Sequence, residues 1–248
     1  MENYFDVQGY WESRHENPDE LARRLALHLE SLVPIDPLFK HWARDGFRNR
    51  SIVPREITLP ARHSELCDWI AENPVYVARD GRKACLGHSI HARTASEGEP
   101  LAMLYLTSRP DNRQSFLDCR MRLTVMTPKG DPWSLRRVAK PMLLALAAAW
   151  DVAWAGVATS IFSEKGHQPG QAIPTYQAGW MVYLDEGHAR RIADPGDVRV
   201  ERQPNGGLLL IATDEMFSHR NQIHRAAARR IERALAPLNA EQKSATKS

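Results

Sequence analysis

The sequence predicts an α+β fold: a mainly antiparallel sheet with flanking helices and a central apolar helix. Three observations lead there. β-type runs cluster between about residues 84 and 127 and again between about 156 and 213, helical patterns bracket them, and one segment near residue 145 is apolar nearly all round. No Gly/Ser-rich or Pro-rich stretch divides the 248 residues, so one domain over 1–239 is expected, followed by a disordered tail at 240–248.

The first helix is announced by Asn17 as cap, Pro18 at the first position and Glu20 where a capping box places its carboxylate. Leu21, Leu25, Leu29 and Leu32 then recur at helical spacing, and Pro34 and Pro37 end the element. A short aromatic segment with Leu38, Phe39 and Trp42 leads through a Pro-punctuated loop to a helix from about Ala61 to Ile70, closed by Pro74. The runs Cys85–Arg93, Leu101–Thr107 and Cys119–Thr127 read as an antiparallel meander. Ser134 opens the central helix, which reaches Trp150, with Pro141 marking a kink or a late start. Strands follow at Gly156–Phe162 and Gly179–Leu184, and Val198–Gln203 pairs with Leu208–Thr213 across Asn205-Gly206. A closing helix, about Ser218 to Leu235, sets Ile223, Ala227, Ile231 and Leu235 on one face and Arg225, Arg229 and Arg233 opposite.

Composition excludes several classes. Hydrophobic residues at 43% and charged residues at 25% are globular values. The longest apolar run, Pro141 to Val157, is broken by Asp151, and Glu2 and Asp6 stand where a secretory signal would be basic, so a cytoplasmic protein without membrane insertion is expected. Cys67, Cys85 and Cys119 form an odd set without CxxC spacing, which fits reduced, mostly buried thiols. A formal charge of +3 is far below that of a dedicated nucleic-acid binder.

Motifs that carry catalysis are missing. Gly87-His88-Ser89-Ile90-His91 lacks the second glycine of a nucleophile elbow, and no GxxxxGK[ST] or GxGxxG occurs. His88 and His91 on one strand project to opposite faces, and His219 and His224 lack helical i,i+4 spacing, so neither pair chelates a metal simply. Pro110-Asp111 has no neighbouring Glu-x-Lys, since Glu241-x-Lys243 falls in the tail, and a restriction-like nuclease is excluded. No catalytic, cofactor-binding or metal residue is assigned, and no cofactor is expected.

Two charged regions stand out. Within the first 20 residues Glu2, Asp6, Glu12, Glu16, Asp19 and Glu20 face only Arg14 as a fixed cation. Asp19 and Glu20 suit a helix N-terminus, and the surplus equally suits a basic partner. The arginine stripe of the closing helix is either a solvated face or a phosphate-binding one.

Gly9-Tyr10-Trp11, then Arg14 and Glu16, then a leucine-rich helix leading to Asp36-Pro37 and Trp42, resemble the start of the Immunity protein 52 family of bacterial polymorphic-toxin systems. The resemblance continues through Gly179-Trp180, Tyr183-Leu184, Gly207-Leu208, Thr213 and Phe217, nearly the whole chain. It implies a non-enzymatic, cytoplasmic antidote that binds a cognate nuclease toxin, a type VI secretion effector with a restriction-endonuclease-like domain. Direct nucleic-acid binding is not expected, and self-association stays open. A near-neutral antidote does not imitate DNA, so steric masking or blocked toxin assembly is the expected mode. Glu12, Glu16 and Glu20, with Asp185 and Glu186 in a later turn, are the candidate toxin contacts. Gly9, Tyr10, Trp11, Arg14, Trp42, Gly179, Trp180 and Tyr183 carry the family pattern and read mainly as structural anchors; surface exposure of the aromatics would make them interface residues instead.

Overall fold

A computed structural model describes residues 4–12, 14–45, 55–79, 82–94, 102–108, 119–126, 136–159 and 176–245. In chain order the elements are β1 (Tyr4–Tyr10), α1 (Pro18–Leu32), a 3-10 turn (Pro37–Phe39), β2 (Trp42–Asp45), β3 (Arg55–Ile57), α2 (His63–Ala71), β4 (Pro74–Arg79), β5 (Arg82–Thr94), β6 (Ala102–Ser108) and β7 (Cys119–Met126). Then come α3 (Arg136–Trp150), β8 (Trp154–Thr159), β9 (Met181–Leu184), α4 (Glu186–Ala189), β10 (Arg199–Arg202), β11 (Leu208–Ile211) and α5 (Gln222–Ala245).

The strands join in one sheet of order β10-β11-β9-β8-β1-β7-β6-β5-β2-β3, with β4 paired to the first half of β5. Every described pairing is antiparallel. The first strand in sequence is thus central, held by β7 on one side and β8 on the other. Side chains alternate between two faces. On the first face, Phe5, Val7, Leu104, Leu106, Leu123 and Val125 pack with α1, α2 and α3 into the main core.

The helices follow their sequence signals. Both halves of the capping box form in α1: Asn17 Oδ1 accepts from the Glu20 N–H at 2.9 Å, and Glu20 Oε2 accepts from the Asn17 N–H at 3.0 Å. Leu21, Leu25, Leu29 and Leu32 are fully buried, each such side chain contributing about 1.5–3 kcal/mol. α3 is the buried central helix, and it runs through Pro141 from Arg136 onward, which excludes the late start. The meander forms as expected, and β10 and β11 make the expected hairpin.

Several details differ from expectation. β1 was not anticipated, although Phe5, Asp6, Val7 and Gln8 alternate apolar and polar; Asp6 lies on the face opposite Phe5 and Val7 and is nonetheless fully buried. Its Oδ1 accepts from the Thr124 hydroxyl at 2.6 Å and its Oδ2 pairs with Arg122 at 2.7 Å, so β7 supplies what the strand itself cannot. β2 and β3 are too short for a period to show, and Pro74 opens β4 rather than merely closing α2. Ile223 is 78% exposed at the start of α5; the packed face is built by Ala227, Ala228, Ile231, Ala234, Leu235 and Leu238. α5 continues to Ala245, past Asn239 where the tail was expected to begin. Of the cysteines only Cys119 is buried, with Cys67 half-buried and Cys85 exposed. Ser134, Leu101, Thr127, Pro110-Asp111 and residues 160–162 lie outside the described residues. No described helix is long and apolar enough to cross a membrane.

Candidate functional site

Strand register gathers the scattered sequence candidates at one end of the sheet. Tyr10 pairs with Arg120 and Trp154, Trp154 with Leu184, and Leu184 with Leu208. The segments carrying Glu12, Glu16, Asp151, Asp185 and Glu186 therefore emerge together. The Tyr176 hydroxyl registers this neighbourhood: burial pushes its pKa up to about 12, Arg191 opposes the rise, and the charges of Asp185 and Glu12 add to it.

Most of that acidity is already matched. Glu16, with 5% of its side chain exposed, lies 2.9 Å from Arg14 Nε and 2.7 Å from Arg24 Nε. Arg14 also donates to the Trp150 carbonyl at 2.6 Å, and Arg24 to the Ala149 carbonyl at 3.1 Å and to Asp151 Oδ2 at 2.8 Å. Two guanidinium groups thus close the carbonyl end of α3, where its dipole is negative, and fasten it to α1. Asp151 turns the chain there with a φ of 44°. Glu20 is occupied by the capping box. Asp185 Oδ1 accepts from the His188 backbone N–H at 2.7 Å and lies 2.7 Å from its Nδ1. Burial works against the Asp185 charge, but these bonds outweigh it and hold its pKa below the usual carboxylate range. Glu186 pairs with Arg190. Glu12 is exposed and, among the described residues, has no ion-pair partner.

The family-pattern residues are closely packed. Trp11 stacks on Trp150 at 4.9 Å between centroids, and the Trp150 indole N–H donates to His28 Nδ1 at 3.1 Å. Trp42 donates to the Phe39 carbonyl, Trp180 to the Thr213 carbonyl, and the Tyr183 hydroxyl accepts from Asn205. Tyr10 stacks on Trp154 at 5.1 Å. A Cβ on Gly9 would collide with Leu146 and lie 2.9 Å from Val152 Cγ1, and one on Gly179 would lie 2.5 Å from the Val157 carbonyl oxygen. The five aromatics of the pattern, Tyr10, Trp11, Trp42, Trp180 and Tyr183, are buried.

Sequence reasoning missed the second face of the sheet. There α5 covers the half built by β8, β9 and β11, where Trp154, Val182, Leu184, Leu208 and Leu210 meet Ile231, Leu235 and Leu238. Beyond Tyr10 the same face changes character. One row across the strands reads Gln8, Arg122, Tyr105, His91, and the next reads Arg120, Thr107, Ser89. Arg120 is exposed and the others are half-buried. The His91 ring meets Tyr105 edge-on at 4.6 Å, and the Tyr105 hydroxyl donates to Met103 Sδ at 3.4 Å. Burial lowers the Arg122 pKa, but the hydrogen bond and charge of Asp6 outweigh it and raise the net value. The strands were legible; the clue lay in their outward residues, Met103, Tyr105 and Thr107 on β6 and Arg120 and Arg122 on β7.

The sequence profile of Immunity protein 52 matches residues 2–86 and 125–239. The chain belongs to that family. Residues 87–124, outside the match, hold the second half of β5, all of β6 and most of β7. Among solved structures, the chain is similar to Pseudomonas aeruginosa T6SS protein PA0821 at 10% identity, over 92% of this chain and 74% of that one, with a TM-score of 0.46. A likeness of that degree bears on neither function nor partner. No curated protein sequence matches.

Proposed function

We propose that the chain is a non-enzymatic immunity protein that binds and neutralises a cognate nuclease toxin, a type VI secretion effector with a restriction-endonuclease-like domain, in the cytoplasm of the producing cell. Membership of the Immunity protein 52 family, over most of the chain, carries the reading. The acidic sheet end supports it in a narrower form than the sequence suggested: Glu16 and Glu20 serve the fold, leaving Glu12 with Asp185 and Glu186 as rim contacts. A stoichiometric antidote of this kind needs an interface of roughly 1,600 Å² in total.

Co-expression with the toxin encoded beside the gene tests it. Growth is restored and the two chains co-purify; if growth stays arrested and no complex forms, the reading is wrong. Charge reversal by Glu12→Lys with Glu186→Lys slows association at low salt, and unchanged kinetics remove the rim from the interface.

A second reading rests on Arg225, Arg229 and Arg233, which are exposed and, among the described residues, have no ion-pair partner. Such a face could hold phosphates weakly. Salt-sensitive retention on DNA that Arg229→Glu abolishes would favour it.

A further inference from the structure

We propose that β10 is a self-complementary sheet edge, and that two copies of this chain pair through it, strand against antiparallel strand, about a two-fold axis at Val200. The contact follows from the register of the sheet and stands whether or not the chain neutralises a toxin.

β10 ends the sheet, with β11 on one side and no strand on the other. Two hydrogen bonds fix which way its backbone faces. The Gln203 N–H donates to the Gly207 carbonyl at 2.8 Å, and the Ala212 N–H donates to the Trp180 carbonyl, on the β9 side, at 2.9 Å. Since the direction alternates along a strand, the odd-numbered residues of β10 and β11 bond one another, and Val200 and Arg202 turn their N–H and C=O groups outward. No described backbone group outside the ladder takes them up. The edge carries no bulge, proline or lysine. Charged side chains can also blunt an edge, but here their order does the reverse.

An antiparallel pair of β10 strands must bring outward groups together, so the axis has to pass through a residue of the strand. Centred on Arg199, Glu201 or Arg202, it would set a charge against its own copy, which destabilises the pair. Centred on Val200, it sets Arg199 opposite Glu201 of the second copy and Glu201 opposite Arg199 of the second copy. Those positions lack ladder bonds to the partner, which is where facing side chains come closest. Val200 exchanges two hydrogen bonds with Val200 of the second copy. The Arg202 N–H reaches the Val198 carbonyl of the second copy, and the reverse, because that carbonyl points away from β11 when the Arg199 N–H of the same peptide points toward it. The charges are not spare. Arg199 lies 2.7 Å from Glu201 of its own strand and pairs with Asp214, and Lys140 pairs with Glu201. Each copy therefore brings two cations and two carboxylates, and interleaving the two groups sets no net charge against another.

Apolar surface adjoins the edge on the second face. Val200 is 40% exposed and Ile223 78%, two of the few large apolar side chains left open among the described residues. Ile223 stands seven residues before Arg230 on α5, about 20° short of two turns. It therefore shares the side of the helix from which Arg230 reaches Asp197, two residues ahead of β10, at 2.8 Å. The strand edge itself is small. About seven residues at ~3.3 Å each, across a sheet depth of about 10 Å, give roughly 230 Å² per copy, well under the ~800 Å² of a standard interface, to which the flank of α5 adds. A weak, concentration-dependent dimer follows.

Sedimentation equilibrium of the full chain, from about 1 to about 500 μM, tests it. The parent moves from 28.1 kDa toward twice that mass. Val200→Lys weakens dimerisation at least about 10-fold, while the melting temperature stays within about 3 °C of the parent. Arg199→Glu and Glu201→Arg each weaken it likewise, because each sets like charges across the axis. Mixed in equal amounts, these two variants dimerise with each other as the parent does with itself, since every position across the axis is matched again. Loss of a pair within one chain would give no such rescue. The proposal is overturned if the parent stays at 28.1 kDa throughout, if Val200→Lys is folded and dimerises as the parent does, or if the mixture stays monomeric. It is equally overturned if the parent is monomeric and Val200→Lys instead loosens a complex with the toxin, since the edge would then serve that partner.

Discussion

The second sheet face holds two halves that belong to one hydrogen-bonded sheet and yet differ in their outward residues. Under α5 it presents Val182, Leu184, Leu208 and Leu210; beyond Tyr10 it presents Gln8, Tyr105, Thr107, Arg120 and Arg122. The backbone is indifferent to this change, because an antiparallel ladder is satisfied by any side chain that fits the pleat. The difference is therefore one of what lies over each half. An apolar half needs a helix to keep water off, whereas a polar half does not.

Core truncation should separate the halves most widely. Leu210→Ala, at a fully buried position, costs about 2–5 kcal/mol in urea unfolding, and Tyr105→Ala on the other half less than ~1 kcal/mol. Similar costs would mean that the polar half is sealed too. The sheet end repeats the contrast between two glutamates. Glu16→Ala leaves Arg14 without a carboxylate and Arg24 with Asp151 alone, and costs about 3 kcal/mol, the low end for a broken buried pair because both arginines keep part of their surface in water. Glu12→Ala stays within ~0.5 kcal/mol.

Acid sharpens the picture from beneath the first face. His28 is fully buried, and burial lowers its pKa to about 3; its Nδ1 accepts from Trp150 and its Nε2 meets no partner among the described residues. Unfolded, it takes up a proton below about pH 6.5, which the fold refuses. Stability therefore falls as pH drops from 6.5 toward 3, by about 1.4 kcal/mol per unit, or roughly 2 kcal/mol at pH 5. His28→Gln flattens that limb in denaturation series at pH 7, 6 and 5. A modest effect belongs to Arg122→Met, which leaves Asp6 with Thr124 alone. Since Arg122 is 40% exposed, about 1 kcal/mol is expected, read as a lowered urea midpoint.

What the sequence made legible was local. Asn17, Pro18 and Glu20 announced α1 because a capping box is written in adjacent residues. The meander and the β10–β11 hairpin showed because period-2 runs and Asn205-Gly206 are short-range signals too. β1 escaped because its alternation spans only a few residues, and the Thr124 and Arg122 that satisfy its buried Asp6 are far away in the chain. The surroundings of the candidate residues were hidden in the same way. Glu16 reads as a surface charge until Arg24 and the end of α3 close around it, and Tyr105 and Arg120 read as ordinary strand residues until the sheet sets them side by side.

Because β1 precedes in sequence both strands that flank it in the finished sheet, its partners arrive late: Phe5 must wait for Val125 on one side and Thr159 on the other. At about 5–20 residues per second, the ribosome needs roughly 6 to 25 s to reach β7 and some seconds more for β8. Through that interval Tyr4–Tyr10 carries two open edges, and neither the main core nor the polar face exists. A cell that depends on this chain for protection must therefore keep a finished stock of it ahead of the threat, since synthesis begun on demand would lag by at least the time that one strand spends waiting.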